Sequence, residues 1–134
     1  MPLRLNEESF PATKCVMVVD DDPVIRLVLS EAMRDAGFHV IEASCSADAM
    51  SYLRSGASVD LIFSDIQMAG PHDGLLLAHQ VRGIDSTLPV ILTSSGDKPA
   101  SLSETEIFIR KPYRLDHIVA LVMMYLDTAG IGAK

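Results

Sequence analysis

Val16-Met17-Val18-Val19-Asp20-Asp21-Asp22 decides the fold: four apolar residues end abruptly in three adjacent carboxylates. A short apolar run of this kind reads as a strand buried on both faces. Its acids then sit at the strand's carboxyl end, the edge where open α/β sheets bind ligands. Adjacent like charges are costly unless a cation lies among them or their pKa values move apart. An all-oxygen donor set suits a hard divalent ion such as Mg²⁺. The plainer reading is an acidic turn in which Asp22 caps a helix.

Working outward, the chain alternates strand and helix. The first strand spans about 15–20, and Asp22-Pro23 is a helix-start signal, an acidic cap followed by Pro at the first helical position. Val24, Ile25, Val28, Leu29, Ala32 and Met33 supply a helical stripe that Gly37 stops. A second strand covers Phe38 to Ile41. Ser46 is the predicted cap of a second helix, which runs through Leu53 and stops near Gly56. Val59 to Ser64 forms a third strand ending on Asp65, and a third helix occupies about 74–83. Leu88 to Thr93 and Ile107 to Arg110 are strands four and five, and Leu115, Ile118, Val119, Leu121, Val122 and Leu126 mark a final helix. Such a series predicts a parallel sheet with helices on both faces. One interval breaks the rhythm: only eleven residues separate Ser94 from Glu106. A helix of ~10 residues with two connections of about 2–6 residues each does not fit there, so the fourth crossover helix is expected to be short or missing.

At 134 residues and 14.5 kDa the chain is one ordinary domain. Residues 1–13 read as a flexible tail, 14–127 as the domain, and 128–134 as a second flexible tail, with no output domain expected beyond it. A net charge of −7 argues against nucleic acid as a partner, since phosphate backbones require a basic patch. No stretch approaches the ~20 apolar residues of a membrane span, and no signal-peptide pattern opens the chain. Cys15 and Cys45 have no metal or redox spacing and fit a reducing compartment, so a cytoplasmic location is expected. His39, His72, His79 and His117 lack ligand spacing and read as surface or core residues, and the seven Met as mostly core.

Polar groups recur at the strand ends: Asp20 and Asp21 on the first, Asp65 on the third, Thr93-Ser94-Ser95 on the fourth, Lys111 on the fifth. A parallel sheet brings all four ends to one edge. Acids alone suggest a cation site; a Lys and a hydroxyl beside them add a positive charge and a donor for an oxyanion. Together they describe a site for a phosphoryl group.

The chain here resembles the response-regulator receiver domains of two-component signalling. The resemblance rests on Val18-Val19-Asp20-Asp21-Asp22, Asp65-Ile66-Gln67-Met68, Asp73-Gly74, Leu88 through Ser94, and Lys111-Pro112-Tyr113, in family order over about 14–127. It implies a flavodoxin-like (βα)₅ fold, a doubly wound five-stranded parallel sheet. It implies that Asp65 is the phosphoacceptor, charged from a phosphohistidine on a sensor histidine kinase or histidine phosphotransfer protein. Asp21 and Asp65 would ligate Mg²⁺ directly, Asp20 through water, and the Gln67 carbonyl would complete the protein ligands. Ser94 would be the switch hydroxyl, with Thr93 open as the alternative, and Lys111 would pair with phosphate oxygens. Phe108 falls where many receivers carry a switching aromatic, and the Lys111–Pro112 bond is expected to be cis. A downstream protein partner, unknown from the sequence, or onward phosphotransfer would carry the output.

The departures are Ala69 where the family usually has Pro, and a Gly70-Pro71-His72 segment one residue longer than the common form. The likeness is thus to stand-alone receivers with a short fourth helix. Two rivals are a haloacid-dehalogenase-type phosphohydrolase with Asp20 as nucleophile, and a receiver-like binding module that works without phosphorylation. The first lacks its later strand-borne acidic pair, since Asp116 and Asp127 fall on the last helix; the intact set Asp20, Asp21, Asp65, Ser94 and Lys111 argues against the second.

Overall fold

The computed structural model describes residues 13–132, with side chains described through Leu126. Five strands, β1 (Cys15–Val19), β2 (His39–Ala43), β3 (Leu61–Asp65), β4 (Val90–Ser94) and β5 (Glu106–Arg110), form one sheet in the order β2-β1-β3-β4-β5, every pair parallel. Four helices are present among the described residues: α1 (Pro23–Asp35), α2 (Ser46–Arg54), α3 (Asp73–Ile84) and α4 (Leu115–Gly132). This is the parallel sheet with helices on both faces that the strand–helix alternation predicts, in the flavodoxin-like form the family resemblance implies. The order reverses between β1 and β3, and in such sheets the crevice at that reversal binds ligands.

Two apolar layers hold the sheet. Met17, Val19, Ile62, Val90 and Leu92 face α2 and α3 through Ala49, Met50, Leu77, Ala78 and Val81. Val16, Val18, Leu61, Phe63 and Ile91 face α1 and α4 through Leu29, Met33, Ile118, Val122 and Leu126. Because β1, β3 and the body of β4 are buried on both sides, their sequences are unbroken apolar runs rather than alternating ones. Polar residues are therefore admitted only where each strand ends. Those ends converge on the site.

The connection from β4 to β5 carries no helix, in line with its eleven residues. Leu102 of this connection packs against the α2/α3 layer, as does Phe108. Polar anchors hold its far end. Buried Glu106 accepts the Ser103 amide (3.0 Å) and pairs with Arg82 of α3 (3.1 Å), while the Thr105 hydroxyl donates to the Ser86 carbonyl (3.4 Å).

Several local expectations are corrected. Ser46 does not cap α2: Cys45 holds the cap position without a side-chain bond, and Ser46 is the first helical residue, turned instead to Asp73. The apolar stripe proposed for α1 is only partly its core face. Leu29 and Met33 are buried, but Val24 is 67% and Val28 48% exposed. The helix is rotated so that Arg26 lies on the inward line, where its guanidinium meets the Asp20 carbonyl. Asp60 lies outside β3 and takes the Cys15 amide on its carboxylate (2.8 Å), bracing the opposite edge of the sheet. The tail expected over 1–13 lies outside the described residues but for its last residue, and the backbone of α4 continues as helix to Gly132.

Candidate functional site

Asp20 follows the last residue of β1, and Asp65 is the last of β3, so strand pairing of β1 with β3 sets the two acids side by side at the carboxyl edge. Carboxylate oxygens of Asp20, Asp21 and Asp65 all lie within 4.8 Å of one another. The three acids of the opening run have divided their tasks. Asp22 turns away and caps α1, its Oδ1 accepting the amides of Val24 (2.9 Å) and Ile25 (3.3 Å). Asp20 is buried and Asp21 exposed at the mouth. The cap reading of the opening run holds on Asp22, while Asp20 and Asp21 lie in the acid cluster.

Asp20 is held by its backbone and one oxygen. Its amide donates to the Ala43 carbonyl (3.1 Å), Arg26 donates to its carbonyl (2.8 Å), and its Oδ1 accepts the Asp22 amide (2.9 Å). Its Oδ2 is buried without a hydrogen-bond partner among the described residues. Burial pushes the Asp20 carboxyl above the ordinary carboxylate range, and the neighbouring Asp65 and Asp21 charges add to that, against the opposing pull of the Asp22 amide and Lys111. An orphaned buried oxygen in a nest of acids fits a hard cation that would satisfy it. The donor set is all oxygen, as Mg²⁺ requires.

Asp65 is 7% exposed and gripped from two sides. Lys111 Nζ donates to its Oδ2 at 3.0 Å, and the Gln67 amide donates to its Oδ1 at 3.3 Å. Lys111 reaches it from the end of β5, where its amide donates to the Ser94 carbonyl (2.9 Å) and its bond to Pro112 is cis. Ser94 is buried, with its hydroxyl accepting the Gly96 amide at 3.0 Å. Thr93 stands opposite Asp65 in the β3–β4 register, and its wholly buried hydroxyl has no hydrogen-bond partner among the described residues. Asp20, Asp21, Asp65 and Lys111 thus form one cluster, with Gln67 and Ser94 bonded to its members. Phe108 is not part of it. It lies half-buried against the α2/α3 layer. All four histidines are exposed.

Tyr113 closes one flank. Its ring meets Phe63 edge-on, with centroids 5.8 Å apart. Burial, with the Asp20 and Asp65 charges, pushes its phenol up to about 12. Tyr113 also lines a cleft of about 450 Å³ with Ile25, Ser95, Lys111 and Pro112, which opens beside the acids. The exposed apolar residues of α1 (Val24, Ile25, Leu27 and Val28) lie on the helix that borders this mouth. Sequence reading passed over Arg26, although a lone cation within an apolar stripe one turn after a strand-end acid is a visible signal.

A parallel sheet with an acid pair, a third acid and a lysine at the edge where its strand order reverses is the arrangement of a receiver-type α/β module. The response regulator receiver domain model matches residues 16–123, and the chain belongs to that family. It is 38% identical over 112 residues to the DNA-binding transcriptional regulator NtrC of Escherichia coli K12, a match covering 80% of this chain and 24% of that protein. It is 29% identical over 126 residues to the transcriptional regulatory protein FixJ of Bradyrhizobium diazoefficiens, covering 89% of this chain and 60% of FixJ. The chain therefore spans about a quarter of NtrC and somewhat under two thirds of FixJ. Among solved structures, a response regulator receiver protein from Sinorhizobium medicae superposes with a TM-score of 0.77 at 28% identity, over 86% of this chain and 95% of that one. The chemotaxis response regulator CheY4 of Vibrio cholerae shares the fold with a TM-score of 0.72 at 22% identity, over 85% of this chain and 99% of that one. No helix among the described residues is long and apolar enough to cross a membrane.

Proposed function

We propose that this receiver takes a phosphoryl group onto Asp65 from a phosphohistidine on a sensor histidine kinase or histidine phosphotransfer protein, in the cytoplasm. In the transfer an Asp65 carboxylate oxygen attacks phosphorus in line. The new O–P bond forms as the N–P bond breaks, and its electron pair returns to the imidazole nitrogen. Lys111 changes partner from the carboxylate oxygen to the incoming phosphoryl oxygens, and the Gln67 amide keeps the other carboxylate oxygen in place. Asp20, Asp21, Asp65 and the Gln67 carbonyl would hold Mg²⁺, whose chemistry is to neutralise charge between an acidic site and an anionic donor. Ser94 serves as the switch hydroxyl, giving up the Gly96 amide to meet the phosphoryl group. Phe108, which packs against the same apolar layer as Leu102 of the crossover, would follow that movement as the switching aromatic.

The observation that carries this reading is the pairing of Lys111 with Asp65 rather than Asp20. A phosphohydrolase using Asp20 calls for its cationic group beside that acid, whereas among the described residues the ammonium pairs with Asp65 and no ion pair reaches the Asp20 carboxylate. Exposed Val24, Leu27 and Val28 support a protein donor, because apolar surface bordering a reactive mouth favours docking. The net charge of −7 favours a protein rather than a nucleic-acid partner for this domain, whose output is docking to a downstream protein or passing the phosphoryl group on.

Asp21→Ala supplies the test. Exposed Asp21 makes little contribution to the core, so stability without metal stays within about 0.5 kcal/mol or rises as repulsion is relieved. With acetyl phosphate as donor, wild type is phosphorylated only when Mg²⁺ is present, and the variant is not phosphorylated at all. A variant that is phosphorylated at the wild-type rate without divalent ions contradicts the site.

A further inference from the structure

Three acids crowded at one edge repel each other, so something must hold Asp65 near Asp20 and Asp21 when no cation is bound. Lys111 neutralises one charge but sits at the end of a long, 29% exposed side chain. Pairing of β1 with β3 sets the two strand ends side by side, and a further restraint acts on the loop that leaves Asp65. Gly74, second residue of α3, donates its amide to the Ile66 carbonyl (2.8 Å), closing the loop that carries Gln67. It lies so close that a Cβ there would collide with the Asp65 carbonyl oxygen and come within 2.6 Å of the Ile66 Cα. Only glycine permits this contact.

The residue before it, Asp73, fixes where that contact stands. Its Oδ2 accepts the Ser46 amide (2.8 Å) and its Oδ1 the Ser46 hydroxyl (2.6 Å), 27 residues away. The Ser46 amide belongs to the first turn of α2, where Ser46 is buried and Cys45 offers no side-chain cap. The carboxylate therefore caps α2 from another helix, a role normally filled by the residue preceding the helix. Ser46 in turn follows the end of β2 closely, and the β2 residue Ala43 accepts the Asp20 amide. The links form a closed circuit: Asp20 to Ala43, Ala43 along the chain to Ser46, Ser46 to Asp73, and Asp73-Gly74 to Asp65-Ile66.

We propose that Asp73 is a positioning residue for the acid cluster: by gripping Ser46 it locks the Asp65 backbone at a set distance from Asp20, holding the carboxylates together against their repulsion. The proposal rests on the reading of Asp65 as phosphoacceptor and metal ligand. Loss of the grip lets α3 and the Asp65 loop relax away from β1, and the cation must then draw the acids together as it binds.

The control lies on the same helix. Asp48 accepts the Ser44 amide at 3.1 Å, so Asp48→Ala loosens the start of α2 without touching the Asp65 loop. Mg²⁺ alone is titrated calorimetrically into wild type, Asp73→Ala, Asp73→Asn, Ser46→Ala and Asp48→Ala, with the melting temperature of each recorded. The expected result is Mg²⁺ affinity lowered about tenfold in Asp73→Ala, as for other residues that orient metal ligands. Asp73→Asn, which keeps an acceptor, recovers part of the loss. Ser46→Ala shows a smaller loss, and Asp48→Ala binds as wild type whatever its melting temperature. Should Asp73→Ala fail to fold, Asp73→Asn and Ser46→Ala carry the test. Wild-type affinity in the Asp73 and Ser46 variants overturns the positioning role alone and leaves the proposed function standing. An equal loss in Asp48→Ala overturns it as well, because helix loosening is then sufficient. A wild-type chain that takes no Mg²⁺ overturns the metal reading and this role together.

Discussion

Lys111 Nζ lies 3.0 Å from Asp65 Oδ2, a contact between two residues 46 apart in sequence that β5 and β3 bring to one edge without being neighbours in the sheet. The pair has two jobs in sequence. Without phosphate the ammonium offsets the charge of a nearly buried carboxylate; in the proposed reaction its partners become the phosphoryl oxygens.

Lys111→Ala therefore acts in both states. In the unmodified protein it leaves Asp65 beside two like charges, and urea unfolding registers a loss of about 1.5–3 kcal/mol, the range for hydrogen bonds to charged groups. In the reaction it removes a donor aimed where charge develops, and the phosphorylation rate with a small-molecule donor falls by roughly 10²-fold. A wild-type rate in this variant contradicts the role given to Lys111.

The crossover 95–105 is the expected moving part. It joins Ser94 to the strand that leads to Lys111, and Leu102 ties it to the core. When Ser94 leaves the Gly96 amide for a phosphoryl oxygen, that turn loses its bond and the crossover shifts. A bias of modest size is enough for a segment with little buried surface. Hydrogen exchange with beryllofluoride, a stand-in for the phosphoryl group, shows changed protection across 96–105 in wild type and none in Ser94→Ala. If Thr93→Ala loses the response while Ser94→Ala keeps it, the switch hydroxyl is Thr93, whose buried oxygen has no partner among the described residues.

Much of this was legible in the chain itself. Wherever a strand is buried on both faces, polar residues mark its end, so Asp20, Asp65 and Ser94 stand out from apolar runs; Lys111 follows the half-buried β5 and is read from its place at the same edge. The missing crossover helix was equally visible, because eleven residues set a geometric limit. What stayed hidden depends on the pose of one element against another. The rotation of α1 that brings Arg26 to the Asp20 carbonyl is decided by competition between an apolar stripe and a polar site, which helical periodicity cannot weigh. Ser46 carries the right chemistry for a cap, but Asp73, remote in sequence, offers it a charged acceptor and draws it into the helix. Tyr113 reads only as part of a motif until Phe63 and the two acids surround it.

That enclosure predicts a measurable titration. The Tyr113 phenol is raised to about 12 in the folded chain from an ordinary value near 10. Between those values the unfolded chain has released its proton and the folded chain has kept it. The associated stability is complete below pH ~10 and is lost as pH rises toward ~12. Phenolate absorbance should show one late step near the top of this window, absent in Tyr113→Phe, whose stability falls less steeply there. An unchanged absorbance profile in Tyr113→Phe contradicts the assignment.

The central claim is that Asp65 receives the phosphoryl group. Incubation with acetyl phosphate and Mg²⁺, borohydride trapping of the acyl phosphate, and mapping of the modified peptide test it directly. The account predicts modification at Asp65 alone, dependent on Mg²⁺ and lost in Asp65→Asn. Modification at Asp20 instead, or a modified chain that retains full labelling in Asp65→Asn, contradicts it.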